Sequence, residues 1–371
     1  MDTSLDSLCV PDECQNQAPL FNSRPIICGI GTATSPFSYS QGELLEFFRV
    51  KDRRVRSLFL NSAIERRYLT LPPVDGDGCP LLETQGELLN KHRNCSLELG
   101  ARAIRTCLEN ARVSVADISY LCCTTTTGFL TPGLTAFFCR DLKLREDCVR
   151  LDVVGMGCNA GLNALSATAA WAHANPGKLA VMLCVETCSA AYVFDGTMRT
   201  AVVNSLFGDG AAAVAVTTKR EMGSTGPEIQ KFSSLIITEA IEAMRFDWDD
   251  SHGKFSFFLD PDIPYVIGAN VEKTITTLLR GTGIRQSEIA HWVVHSGGKK
   301  VIDALRVNLG LSAYDLRHTT GVLRDYGNLS SGSFLFSYQR LIDEDKVTSG
   351  DYGIMISMGP GSTIESALIK W

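Results

Sequence analysis

The feature that most constrains this chain is a repeated alternation of short apolar runs with longer amphipathic stretches. "PIICGIGTAT" (25–34), "ISYLCCTTTT" (118–127), "VRLDVVGMG", "KLAVMLCVET" and "GAAAVAVTT" read as strands. Several are apolar on both faces, which is the pattern of strands covered above and below. Between them, "NKHRNCSLELGARAIRTCLENA" (90–111) has the three-to-four spacing of an amphipathic helix, and a charged helical region covers about 41–67. An Ala- and Leu-rich helix runs from Cys158 to about Ala174 and is stopped by "NPG". After about residue 230 the rhythm restarts, with a helix at about 266–280, the strand "HWVVHSG", the helix "KKVIDALRVNLG" and a final strand "DYGIMISMG". Two such halves predict a duplicated five-layer α-β-α-β-α fold, with a loose leader over 1–24 and halves over 25–225 and 226–371.

A length of 371 residues accommodates two halves of that size. The net charge of -6 argues against nucleic acid as the main partner, although an anionic small ligand needs only a local basic patch. No secretory signal is visible at the N-terminus. No stretch approaches the roughly 18 uncharged apolar residues of a membrane span. The 13 cysteines are scattered through apolar runs and read mostly as reduced, buried, cytosolic thiols. They show no paired CxxC spacing, so a zinc site is not expected.

One cysteine stands apart. Cys158, in "GMGCNAGLNAL", lies on a Gly-rich turn at the start of a helix. Free N–H groups and the positive end of the helix dipole favour an anion there. Gly155, Gly157, Ala160 and Gly161 leave room for a sharp turn and for an approaching substrate. The alternative is a structural cysteine buried in a strand-to-helix turn. A nucleophilic thiol needs a base or cation. Among six histidines, His92, His173 and His252 read as surface residues. His291 and His295 flank "WVV", and His295 falls at the C-terminal end of its strand, where sites form in α/β folds. His318 is a second candidate by position. Asn328, in "DYGNLSSGS", could donate its amide to a developing oxyanion, or could be there for its backbone preferences in a turn.

"GMGCNAG", "VVHSGGKKVID", "YGNLSSGS", "SLFGDGAAA" and "MGPGSTIE" occur in that family's order and resemble the thiolase superfamily, and within it the type III polyketide synthases. The resemblance covers nearly the whole chain from about residue 25. "FLNSAIERRYLTLPP", "TGFLTPG", "DGTMRTAVVNSLFGDG" and "HTTGVLRDYGNLSSGSFLFSY" are similar to the bacterial branch that makes 3,5-dihydroxyphenylacetyl-CoA, rather than to plant chalcone synthases.

The resemblance implies a thiolase-like fold and a catalytic set of Cys158, His295 and Asn328. Cys158 would carry the acyl group. His295 would hold it as thiolate and, with Asn328, stabilise the enolate left by malonyl decarboxylation. Phe207 and Phe257 match the gatekeeping phenylalanines and would otherwise be core aromatics. Thr126, Thr127, Thr131, Cys188, Ala191 and Ser330 fall where that family lines its elongation cavity. Thr131 replaces the methionine of plant members. Lys51, Arg53, Arg54 and Arg56 in "VKDRRVRS" fall in the region of the family's CoA-binding basic cluster, and otherwise form a solvated helix face. The implied partner set is malonyl-CoA as starter and extender, a second copy of the chain, and pathway enzymes that aid dehydration and aromatisation. The chemistry requires neither metal nor other cofactor. The rival expectations are a single-condensation ketoacyl synthase fed by acyl carrier protein, another type III synthase with a different starter, and a silent scaffold.

Overall fold

The computed structural model describes residues 24–191, 194, 197–219 and 226–371. Apart from Arg24, the expected leader lies outside them. The first set of strands comprises β1 (Ile26–Thr34), the short pair β2 (Ser38–Ser40) and β3 (Arg66–Tyr68), then β4 (Ile118–Thr124), β5 (Val149–Val153), β6 (Leu179–Glu186) and β7 (Gly210–Thr217). The second comprises β8 (Glu228–Ile236), the hairpin of β9 (Met244–Asp249) and β10 (Lys254–Leu259), then β11 (Ile289–Val294), β12 (Tyr352–Gly359) and β13 (Thr363–Lys370). The helices are α1 (Gln41–Phe47), α2 (Arg53–Leu60), α3 (Gln85–Ala111), α4 (Leu134–Asp141), α5 (Ala160–Ala174), α6 (Met198–Asn204), α7 (Ile263–Leu279), α8 (Lys299–Asn308), α9 (Arg317–Tyr326) and α10 (Ser333–Asp343).

Nine strands form one sheet in the order β11-β12-β13-β8-β1-β7-β6-β4-β5. It consists of two half-sheets with the same plan. In the first, β1 is antiparallel to β7, β7 is antiparallel to β6, and β6 is parallel to β4. In the second, β8 is antiparallel to β13, β13 is antiparallel to β12, and β12 is parallel to β11. A single residue pair, Ile26 with Glu228, joins β1 to β8. Helix α3 covers the outer face of the first half-sheet, and α7 covers that of the second, with α8 packed on α7. Helix α5 touches β4, β6 and β7 on one side and β12 and β13 on the other. Helix α10 likewise reaches β11 and β12 as well as β1 and β7. The five layers of the thiolase fold follow from these contacts.

The sequence explains the layering. Every residue of β6 and β7 is buried, as expected for strands covered on both faces. Helix α3 buries a stripe including Leu88, Leu99, Ala103, Ile104 and Cys107, and starts on a Thr84–Glu87 capping box. Central α5 is built largely of Ala, with Leu162 and Leu165, because it packs against sheets on two sides.

Three expectations are corrected. The charged region over 41–67 is two short helices, α1 and α2, because Asp52 caps a new helix by accepting from Arg54 N and Val55 N. "DYGIMISMG" is not the last strand: β13 follows it and lies between β8 and β12. The glutamate within "TIESALIK" obscures that strand, since Glu365 is buried by bonds from Asn163 and Ser234. His92 is fully buried on α3 rather than on the surface, where Ser96 and Thr127 meet its Nδ1. Burial pushes it down to about 4, so it is neutral.

Candidate active site

The turn after β5 carries Cys158. Residues Gly157–Asn159 form one 3-10 turn that runs into α5, so the thiol stands at the start of the central helix. Gly155 and Gly157 have φ of +80° and +68°, which other residues adopt only at a cost. The expected clearance for substrate holds only in part. A Cβ at Gly157 would lie 2.2 Å from Pro360 Cδ, and one at Gly161 would lie 2.2 Å from the Ser331 carbonyl oxygen. The protein itself fills those spaces. Only Gly155 faces open space.

The turn before α10 is the counterpart. Asn328 Oδ1 accepts from Ser330 N at 2.8 Å and from Ser333 Oγ at 3.3 Å, which fixes the amide's orientation. Ser330 has φ of +48°, a left-handed conformation that costs about 1–2 kcal/mol for a residue with a Cβ. Its Oγ lies 3.4 Å from Cys158 Sγ. The Asn328 backbone is stitched to the segment around Phe207: Asn328 N donates to Leu206 O, and Gly208 N donates to Asn328 O. His295 follows β11, and its loop is tied to the Asn328 loop by Ser296 Oγ donating to Gly327 O at 3.2 Å. Asn328 Nδ2 points to Gly297 O at 3.5 Å.

Burial governs the charges. The Cys158 thiol is pushed up to about 12, with the Ser330 hydroxyl acting in the opposite direction. His295 is 2 % exposed and pushed down to about 3. Each group taken alone is held neutral. Its charged form needs a partner charge or substrate close by. His295 Nδ1 is buried without a hydrogen-bond partner among the described residues.

Sequence reasoning missed Glu186. Its carboxylate is fully buried at the end of β6 and accepts from Thr126 N at 2.9 Å, Thr126 Oγ1 at 3.0 Å and Ser331 Oγ. Thr126 Oγ1 also meets Ser330 Oγ at 2.9 Å. A hydroxyl chain thus runs from Cys158 through Ser330 and Thr126 to a carboxyl whose proton affinity burial raises. A lone glutamate closing the apolar run "LAVMLCVE" was the available clue, since an unpaired buried acid is rare.

Cys158 opens into a cavity of about 360 Å³ whose wall includes Thr126, Phe207, Phe246, Phe257 and Ser330. Phe207 and Phe257 meet edge to face at 6.1 Å. A small side pocket shares Thr126 and adds Thr127 and Ala191. Cys188 lines a different chamber, which also has Phe207 in its wall. Thr131 is exposed on the surface of the single chain and lines none of these spaces, because its segment turns outward before α4. Lys51, Arg53 and Arg54 are exposed, since α2 buries Val55 and Phe59 and turns its basic side to solvent. Arg56 is committed to Glu46 and the Val50 carbonyl. The structure therefore does not bring the basic cluster to the cavity wall.

Among the described residues no group of acids, histidines and cysteines has the arrangement of a metal site. No helix among them is long and apolar enough to cross a membrane. The eleven cysteines described are free thiols.

Comparison with known proteins agrees with this geometry. Residues 81–282 match the model for "FAE1/Type III polyketide synthase-like protein", and residues 247–371 match "Chalcone and stilbene synthases, C-terminal domain". The chain is 59% identical over 352 residues to the 3,5-dihydroxyphenylacetyl-CoA synthase of Streptomyces toyocaensis, covering 94% of this chain and 90% of that one. It is 60% identical to the enzyme of the same name from Amycolatopsis orientalis, covering 92% of each. The fold matches the crystal structure of PKS-I from the brown alga Ectocarpus siliculosus with a TM-score of 0.86 at 23% identity, over 96% of this chain and 99% of that one. With its duplicated layers, its cysteine at the head of the central helix and these relatives over nearly its full length, the chain belongs to the type III polyketide synthase family.

Proposed function

We propose that the protein condenses malonyl-CoA units, as starter and extenders, into a tetraketide that closes to 3,5-dihydroxyphenylacetyl-CoA. The observation that carries this reading is the 60% identity, over 92% of both chains, to a 3,5-dihydroxyphenylacetyl-CoA synthase. The Cys158, Asn328 and His295 loops, converging around one buried region, support it. In the loading step Cys158 attacks the malonyl thioester, its proton passes to His295, and CoA leaves as the thiol. In the extension step the bond between the second malonyl unit and its carboxylate breaks. The electron pair moves onto the thioester oxygen, where His295 and Asn328 supply donors. The resulting enolate carbon attacks the acyl carbonyl on Cys158, and the sulfur leaves. Phe207 and Phe257 keep water from this step, and Thr126, Thr127, Cys188, Ala191 and Ser330 shape the space for the growing chain.

The basic residues Lys51, Arg53 and Arg54 meet the phosphates of CoA once it is bound. The protein acts as a cytoplasmic homodimer, with the halves of each copy dividing near residue 225. Pathway enzymes that speed dehydration and aromatisation work with it. Incubation of the purified protein with malonyl-CoA alone tests the reading. It should release CO₂ and a product with the mass of the aromatised tetraketide-CoA. Turnover only with another acyl-CoA starter would refute the malonyl-primed reaction, and a single condensation would favour a ketoacyl synthase.

A further inference from the structure

Phe207 borders two chambers. One holds Cys158. The other is bounded by Cys188, Ser189, Leu69, Leu88, Arg67 and Lys254, among others. Much of its wall is apolar, as suits an acyl chain. Lys254 departs from that character. It begins β10, the strand that also carries Phe257, and is only 7 % exposed. Its Nζ donates to the Glu83 main-chain oxygen at 2.6 Å. The Glu83 carboxylate is already taken by Lys91, also at 2.6 Å. Burial holds the Lys254 ammonium below the ordinary lysine value, against the through-space attraction of Glu83, Asp249 and Glu87. Arg67, the other cation on this chamber, donates to Gln41 Oε1 and to the Phe207 carbonyl. An ammonium with three N–H groups thus has one hydrogen-bond partner among the described residues, and it borders the chamber.

Chain growth can supply the missing partner. Each condensation inserts two carbons beside the thioester, so the first acyl unit moves away from Cys158. A chain that passes Phe207 enters the second chamber with its starter end leading. A neutral starter leaves an alkyl group at that end. A malonyl starter leaves a carboxylate there until it is lost as CO₂. We infer that Lys254 anchors the terminal carboxylate of a malonyl-started chain and so selects malonyl over neutral acyl starters. The inference rests on the malonyl-primed reading above and adds a residue and a location to it.

The test is an internal competition with the full-length protein. Malonyl-CoA and acetyl-CoA labelled with carbon-13 are supplied together, and mass spectrometry measures the ratio of unlabelled to labelled product. The wild type should give mainly unlabelled product. In Lys254→Met the ratio should fall by about tenfold or more, and in Lys254→Arg, which keeps the charge, it should stay within about threefold of wild type. A Lys254→Met ratio within about twofold of wild type overturns the inference, as does an equal fall in Lys254→Arg. Loss of both products by Lys254→Met at an unchanged melting temperature also overturns it, because the role would then be common to both starters. If Lys254→Met melts early, the same ratio is read in Lys254→Gln, which keeps a donor toward Glu83. A wild type that makes only labelled product would instead overturn the malonyl-primed reading itself. A normal wild-type ratio that Lys254→Met leaves unchanged removes only the role of the lysine.

Discussion

The two central helices answer the same structural problem with different residues. Helix α5 and helix α10 lie between the half-sheets, and each begins on a 3-10 turn, Gly157–Asn159 and Ser330–Gly332. Each turn needs a left-handed residue. In the first it is Gly157, for which the conformation costs little. In the second it is Ser330, for which it does not. The glycine makes room for Pro360. The serine supplies the hydroxyl that meets both Cys158 and Thr126. The difference teaches that strain is kept where a side chain has chemical work and removed where only packing matters. The same division holds at the strand ends. The loop after β4 carries Thr126 and Thr127, whereas that after the equivalent β11 carries His295.

The strongest way to break this comparison is to remove the reacting atom from the first turn. Cys158→Ala should lower product formation from malonyl-CoA by roughly a thousandfold or more, read as product per minute by mass spectrometry. Survival of more than a few per cent would mean that the turn at α5 is structural, unlike the one it mirrors. The next largest effect belongs to the second turn. Asn328→Asp keeps the acceptor for Ser330 N but loses the amide donor. Decarboxylation, read as CO₂ release, should slow by about a hundred- to a thousandfold. Acyl loading of Cys158, read by intact-protein mass, should change far less. Equal losses in both would show that Asn328 only holds the turn together.

How much of this was legible depended on whether local pattern or long-range packing decided the residue. Strands β4, β6, β7 and β11 announce themselves as apolar runs, and α5 by its Ala-rich span. Cys158, His295 and Asn328 could be picked out because each lies where a strand or helix run breaks into glycine-rich chain. Glu186 showed only as an acid closing an apolar run, because its stabilising partners, Thr126 and Ser331, come from segments 60 and 145 residues away. His92 was misplaced for the same reason: a histidine in a charged helix reads as exposed unless Thr127 and Ser96 are known to meet it. The glycines near Cys158 looked like space for substrate because one sequence segment cannot reveal that Pro360 and Ser331 occupy it. Thr131 and the basic residues of α2 were placed through the family resemblance, and the packing of the single chain does not carry them to the cavity.

A third test exchanges the solutions used by the two turns. Gly157→Ala puts a Cβ on a residue at φ +68° and into contact with Pro360. The backbone and overpacking costs together should destabilise the protein by about 2–4 kcal/mol, measured by denaturant unfolding. Ser330→Gly should move stability by no more than about 1 kcal/mol, because relief of left-handed strain offsets the lost hydrogen bond. Equal destabilisation by the two changes would mean that the turns differ in sequence but not in physical demand.

The smallest effect is also the most specific. The Ser330 hydroxyl is the side-chain hydrogen bond that lowers the proton affinity of the Cys158 thiol, against burial, which raises it. Ser330→Ala removes that donor and leaves burial unopposed by it. The thiolate is then less stable, its pKa rises, and at any fixed pH a smaller fraction of Cys158 is ionised. The rate of alkylation by iodoacetamide should therefore fall by about three- to tenfold at pH 8, with the whole rate–pH profile displaced to higher pH. Thr126→Val, which keeps Ser330 but cuts its link toward Glu186, should displace the profile less. An unchanged profile in Ser330→Ala would show that the serine's strained conformation serves the Asn328 turn alone, and that the sulfur draws its reactivity from His295 and the head of α5.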